Sequence, residues 1–196
     1  MYTNIIGQYG FTYDPKISGY NKTFWNTWQG SDPTISSGAL VFNNCGISSF
    51  ANVSGHGTYT FYVNVPVAPT SGDQRSFGLN IVGLATNIST GGPGCIRFYT
   101  KDTAFKAHIE DNRGNVLFDQ AITWSSAWTA ATVPYSIQIG DSGVVKFFVN
   151  NALQAEYDPV AGAVFPTFPQ ALMVYNNNAD NMTLSALVAV QTQTLT

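Results

Sequence analysis

The chain has 196 residues, 44% of them hydrophobic and only 10% charged, with eight Lys+Arg against eleven Asp+Glu and a formal net charge of −3. That length suits one β domain, residues 1–196, with a sizeable core; the hydrophobic share excludes intrinsic disorder, and so few cations exclude a nucleic-acid partner. No apolar run reaches the ~18 residues of a membrane-spanning helix, so no membrane insertion is expected, and the opening Met1-Tyr2-Thr3-Asn4 lacks the basic and apolar regions of a signal peptide.

Along the chain, short runs with period two recur between Gly, Pro, Asn and Asp. Gly38 to Asn43 is the first. In Thr58 to Val65, one face carries Tyr59, Phe61, Val63 and Val65 and the other Thr58, Thr60, Tyr62 and Asn64, the form of a half-buried antiparallel strand. Arg75 to Val82, Cys95 to Lys101, Phe105 to Asp111 and Val116 to Ile122 follow. The series closes with Tyr135 to Ile139, Val144 to Asn150, Leu153 to Tyr157, Gln170 to Tyr175 and Thr183 to Gln191. Asn112-Arg113-Gly114-Asn115, Asp141-Ser142-Gly143 and Asn150-Asn151 read as turns. Two longer loops, Pro66 to Asp73 and Asn87 to Gly94, have the composition of segments that border binding sites. No capped amphipathic helix stands out. The fold class is all-β: a two-sheet antiparallel β-sandwich.

The order of segments resembles the concanavalin-like lectin/glucanase (laminin-G-like) jelly rolls. Phe24-Trp25-Asn26-Thr27-Trp28 followed by Ser36-Ser37-Gly38-Ala39-Leu40-Val41-Phe42 is similar to the family's opening, an early Trp before a short G-A-L strand. Gly57 to Val65 with Arg75-Ser76-Phe77-Gly78-Leu79 resembles the next strand pair, and Val144 to Asn151 with Leu153-Gln154-Ala155 the late hairpin. The resemblance spans nearly the whole chain and implies two curved sheets, with sugars bound on the concave sheet or its rim loops. It leaves function open, because lectins, glycosidases and virion proteins share this fold.

Glycosidases of the family carry Glu-x-Asp-x-x-Glu on one strand, where alternation puts the carboxylates on one face. This chain has two glutamates, Glu110 and Glu156, and Glu110-Asp111-Asn112 breaks the motif, so no catalytic residue carries over. His56 and His108 lie far in sequence from any nucleophile elbow, and no zinc spacing links the two histidines to the two cysteines. A non-enzymatic domain is expected.

Candidate carbohydrate contacts are Tyr62 and Asn64, then Arg97 and Tyr99, then His108 and Glu110, three strands that would form one floor of rings and hydrogen-bonding groups if they are neighbours. Trp124 and Trp128 are candidates for a stacking platform on a loop, against a packing role under the sandwich edge. Trp25 and Trp28 are assigned to the core. Asn176, Asn178 and Asp180 gather hard oxygen donors in one turn, which makes a structural calcium the only cofactor candidate. Cys45 and Cys95 form one bridge if adjacent strands carry them, and otherwise stay buried thiols.

The leading expectation is a lectin-like decoration or attachment domain, on a virion surface or extracellular, contacting glycans such as a host-surface polysaccharide. Three rivals stand beside it. One is a carbohydrate-binding module of a secreted glycan-degrading enzyme. Another is a structural domain that meets other virion proteins or itself as a homo-oligomer, through outer-face residues such as Phe148, Leu172 and Leu187. The third is an Asp-dependent glycosidase.

Overall fold

Period-two alternation produces strands throughout the protein. The structure, a computed structural model, describes residues 7–53, 56–81, 94–101, 103–140, 142–159 and 170–193. In chain order its strands are β1 (Gly7–Tyr13), β2 (Trp25–Gln29), β3 (Thr34–Ser36), β4 (Ala39–Phe42), β5 (Cys45–Val53), β6 (Gly57–Asn64), β7 (Arg75–Ile81) and β8 (Cys95–Lys101). There follow β9 (Ala104–Glu110), β10 (Val116–Ile122), β11 (Val133–Ile139), β12 (Val145–Val149), β13 (Ala152–Tyr157), β14 (Gln170–Asn176) and β15 (Met182–Gln193). One sheet has the order β13-β12-β11-β6-β15-β4-β3, with β1 also on β15; the other has the order β10-β9-β8-β7-β14-β5-β2. Strand pairings among the described residues are all antiparallel, so the two-sheet sandwich expected from the sequence is the architecture found.

The core lies between the sheets. Tyr59, Phe61 and Val63 of β6 and Tyr135, Ile137 and Ile139 of β11 face Phe77 and Leu79 of β7, Ile96 and Phe98 of β8, and Phe105, Ala107 and Ile109 of β9. Phe98 is central: its ring centroid lies 5.2 Å from Phe147, 5.5 Å from Tyr135 and 5.7 Å from both Phe77 and Phe105. Each inward residue on β8 and β9 sends its neighbours to the opposite face, and that parity builds the site described below.

Several segments depart from the expectations. Asp14-Pro15 to Gly19 makes one helical turn, α1 (Pro15–Ser18): the Asp14 carboxylate accepts from the Lys16 N–H, Pro15 stands at the first position, and Gly19 leaves with φ +62°. Strands β1, β2, β3 and β5, rich in Gly, Ser, Thr and Asn, carry weak apolar alternation and were not anticipated. The Asn150-Asn151 turn holds φ of +51° and +63°, which matches a two-residue hairpin turn of the primed type.

Leu172 and Leu187 are core residues and offer no outer-face contact for a second copy. On β15 a bulge between Leu184 and Ala186 shifts the register, so both Leu184 and Leu187 point inward where strict alternation would part them. Trp25 is core as expected, but Trp28 is not. Three positions further on, it lies against Tyr175 and Met173 on the outer face of the seven-stranded sheet, over Gly46.

Cys45 and Cys95 are both free and buried. β14 and β7 lie between their strands, a span of about 14 Å at ~4.8 Å per strand, against the limit of about 7 Å for a bridge. They also face opposite sides, Cys45 toward the core and Cys95 away from it.

Candidate functional site

Because Ile96 and Phe98 point into the core, Cys95, Arg97 and Tyr99 of β8 point out of it; the same parity on β9 turns Lys106, His108 and Glu110 outward. The register sets Cys95 opposite Glu110, Arg97 opposite His108, and His108 opposite Asp119 of β10. The turn between β9 and β10 is held by Asp111, whose carboxylate accepts from the backbone N–H groups of Arg113 and Asn115 and from the Asn115 amide.

At the centre is an imidazole between two carboxylates. His108 Nε2 lies 2.7 Å from Glu110 Oε1, and Nδ1 lies 3.1 Å from Asp119 Oδ1. Lys106 donates to Asp119 Oδ2 at 2.5 Å and the Tyr99 hydroxyl to Oδ1 at 3.2 Å. The Arg97 guanidinium sits 5.1 Å from the Tyr99 ring centre and donates to Ser76 Oγ at 3.4 Å. His108 and Glu110 are buried, whereas the Asp119 side chain keeps 30% of its surface exposed. Glu110 Oε2 is buried with no hydrogen-bond partner among the described residues.

Burial disfavours a charge on His108, but hydrogen bonds to Cys95 and Glu110 outweigh it, and the imidazolium pKa is pushed up to about 9. Burial likewise works against the Asp119 carboxylate; Lys106 and His108 prevail and hold it below the usual carboxylate range. The Tyr99 hydroxyl is raised by burial and by the neighbouring Asp119. Asp119 is therefore an ionised, partly exposed carboxylate backed by a buried proton-bearing imidazole. A recess of about 130 Å³ opens over these groups, lined by Arg97, Tyr99, Lys101, His108, Glu110, Val116 and Asp119. That is below the about 300 Å³ of a complete ligand pocket, and it is large enough for one polar group.

Gly78 of β7 flanks this row. A Cβ there would stand 2.5 Å from the Ile96 carbonyl oxygen and 2.8 Å from Arg97 Cβ. Gly78→Ala should cost about 1–3 kcal/mol through this overpacking, read as a lower urea midpoint at unchanged slope.

Of the residues singled out in the sequence, Arg97, Tyr99, His108 and Glu110 come together here. Tyr62 and Asn64 do not: they lie on β6, in the other sheet, where Asn64 donates to the Thr129 and Ala131 carbonyls beside an uncharged groove of about 760 Å³. Trp124 and Trp128 pack against each other and Phe105 at 5.3–6.2 Å, half-buried at the sandwich edge, so they form no stacking platform. Asn176, Asn178 and Asp180 meet in one turn that protein groups hold. Asn176 Nδ2 donates to the Phe42 and Asp180 carbonyls at 2.7 Å, and the Asp180 carboxylate pairs with Arg75. Asn87 and most of the Asn87–Gly94 loop lie outside the described residues.

Two members of the cluster were missed. Asp119 could have been found by folding the chain at the Asn112–Asn115 turn and pairing Val116–Ile122 back onto Phe105–Asp111. Cys95 was read only for a disulfide, though its parity with Arg97 and Tyr99 was visible.

No protein-family model matches the chain, and no curated protein matches it in sequence. Solved structures do match in fold. An endo-β-1,3-glucanase from Pyrococcus furiosus superposes with a TM-score of 0.73 at 11% identity, covering 94% of this chain and 94% of that one. A laminarinase from Flavobacterium sp. UMI-01 gives 0.72 at 12% identity, covering 92% and 99%. The carbohydrate recognition domain of Emp47p gives 0.66 at 11% identity, covering 90% and 92%. The fold is the concanavalin-like jelly roll. The matching structures are mostly glucan-cleaving enzymes by name, which overturns the expectation of a non-enzymatic, lectin-like virion domain. The missing Glu-x-Asp-x-x-Glu strand does not carry the case against catalysis either, because two strands deliver Glu110 and Asp119 to one imidazole.

Proposed function

We propose that the chain is a glycoside hydrolase acting on a β-glucan, with its acid–base centre on the outer face of the seven-stranded sheet. The observation that carries this reading is the Glu110–His108–Asp119 arrangement, with Asp119 partly exposed at the mouth of the recess. Glucan cleavage by enzymes sharing this fold supports the substrate class.

Asp119 is the group that touches the sugar. Hydrolysis needs a proton delivered to the glycosidic oxygen. His108 holds one until about pH 9 and passes it through Asp119 to the leaving oxygen as the glycosidic C–O bond breaks; water adds to the anomeric carbon, and the proton it gives up returns through Asp119 to His108. Glu110 acts through His108: it orients the ring and balances its charge, as a positioning residue. Tyr99 and Lys106 hold the Asp119 carboxylate in place.

Reducing-sugar release from laminarin and lichenan tests the reading. Wild-type protein should release sugar, and Asp119→Asn should lose about 10²–10⁴-fold in rate with its circular dichroism unchanged. Glu156→Gln should keep full activity, since Glu156 sits on β13 in an exposed pair with Lys146. No release by the wild type, or full activity in Asp119→Asn, would defeat the proposal.

A further inference from the structure

The outward face of β8 and β9 gathers a second kind of chemistry that the sequence spacing conceals. Cys95 Sγ, a His108 ring nitrogen and a Glu110 carboxylate oxygen all lie within 4.8 Å of one another, and all three residues are buried. Cys95 and Glu110 stand directly opposite in the β8–β9 register, and His108 is two residues from Glu110 on the same face. Three side chains with ligand atoms therefore converge from two adjacent strands.

We propose that Cys95, His108 and Glu110 bind a divalent transition metal of the zinc class. The donor set is the first reason: thiolate, imidazole and carboxylate together suit zinc, while calcium and magnesium take oxygen ligands alone. The ring orientation is the second. His108 turns Nε2 toward Glu110 and gives Nδ1 to Asp119, the carboxylate–histidine–metal pattern in which the second nitrogen fixes the ring. The third is Glu110 Oε2, a carboxylate oxygen buried beside these donors with no hydrogen-bond partner among the described residues.

Charge and distance agree. The cation replaces two protons, that of the Cys95 thiol and the one shared by His108 Nε2 and Glu110 Oε1, so the net charge of the cluster beside Arg97 is unchanged. Tetrahedral bonds of about 2.0–2.3 Å place donors about 3.3–3.7 Å apart, so His108 Nε2 and Glu110 Oε1, now 2.7 Å apart, would separate, and Cys95 Sγ, within 4.8 Å of both, would close by no more than about 1.5 Å. Three protein ligands leave a fourth position open. Metal binding goes beyond the glycan reading and does not depend on it.

The test is titration of the chelator-treated, reduced protein with cobalt(II) near pH 8. The expected result is one equivalent bound, with a thiolate-to-cobalt charge-transfer band in the near ultraviolet that zinc(II) bleaches. Cys95→Ser should abolish that band and Cys45→Ser should leave it intact. His108→Gln and Glu110→Gln should each weaken binding, and Asp119→Asn should weaken it about 10–100-fold. Near- and far-ultraviolet circular dichroism verifies that each variant is folded, and the glutamine variants decide the matter if Cys95→Ser does not fold. No charge-transfer band in the wild type, a band that survives in Cys95→Ser, or full affinity in both glutamine variants would overturn the assignment. The optical readout needs no substrate, so its failure is separate from any failure to cleave glucan.

Discussion

Arg75→Met is expected to destabilise the protein by about 3–5 kcal/mol, the usual cost of stripping one partner from a buried ion pair. Arg75 begins β7 with its side chain buried, and it binds Asp73 through Nη1 at 2.9 Å and Asp180 through Nη2. Its backbone N–H also donates to Thr100 Oγ1 at 2.8 Å. One guanidinium thus ties the 66–73 loop and the Asn-rich turn after β14 to the start of β7, the central strand of its sheet. Methionine fills similar volume but leaves the Asp73 side chain buried without its guanidinium partner. Urea denaturation of Arg75→Met should show a lower midpoint at unchanged slope. Adding Asp73→Asn and Asp180→Asn should recover part of the loss, because the penalty lies in the orphaned charges. A loss under 1 kcal/mol would mean that solvent reaches these carboxylates.

The second large effect is a fall in stability above neutral pH, in protein kept free of metal by a chelator. His108 faces Cys95, Arg97 and Tyr99 from β8, Lys106 and Glu110 from its own strand, and Asp119 from β10. In the folded chain its pKa rises from 6.5 to about 9. A raised imidazolium pKa adds stability in full below about pH 6.5 and loses it as pH climbs through about 9. At about 1.4 kcal/mol per pKa unit the contribution is on the order of 3 kcal/mol. Denaturant midpoints measured from pH 6 to pH 9.5 should fall, and His108→Gln should flatten that dependence. A flat profile in the wild type would show that the ring is not held as imidazolium.

Much of the sandwich was legible because alternation is local. Tyr59, Phe61 and Val63 declare their face within one strand, and Ile96 with Phe98 does the same for the strand that carries Cys95, Arg97 and Tyr99. Gln170 to Tyr175 reads among the period-two runs, although all seven residues of β14 are buried and it has no exposed face to alternate with. The failures came where register matters. The bulge in β15 moved Leu187 to the core, and sheet assignment put Tyr62 and Asn64 on the other layer from Arg97 and His108.

The candidate site divides along the same line. Residue types and strand parity alone turn Arg97, Tyr99, His108 and Glu110 outward from the core, since a side chain's face follows from its neighbours two positions away. Tertiary structure decided which strands lie side by side, and so brought Cys95 to Glu110 and Asp119 to His108 across the β8–β9–β10 ladder. Local periodicity cannot encode that choice. Cross-strand contacts join residues far apart in the chain, and the backbone hydrogen bonds that align them are the same for every pair of strands; only packing of the two apolar faces selects one order.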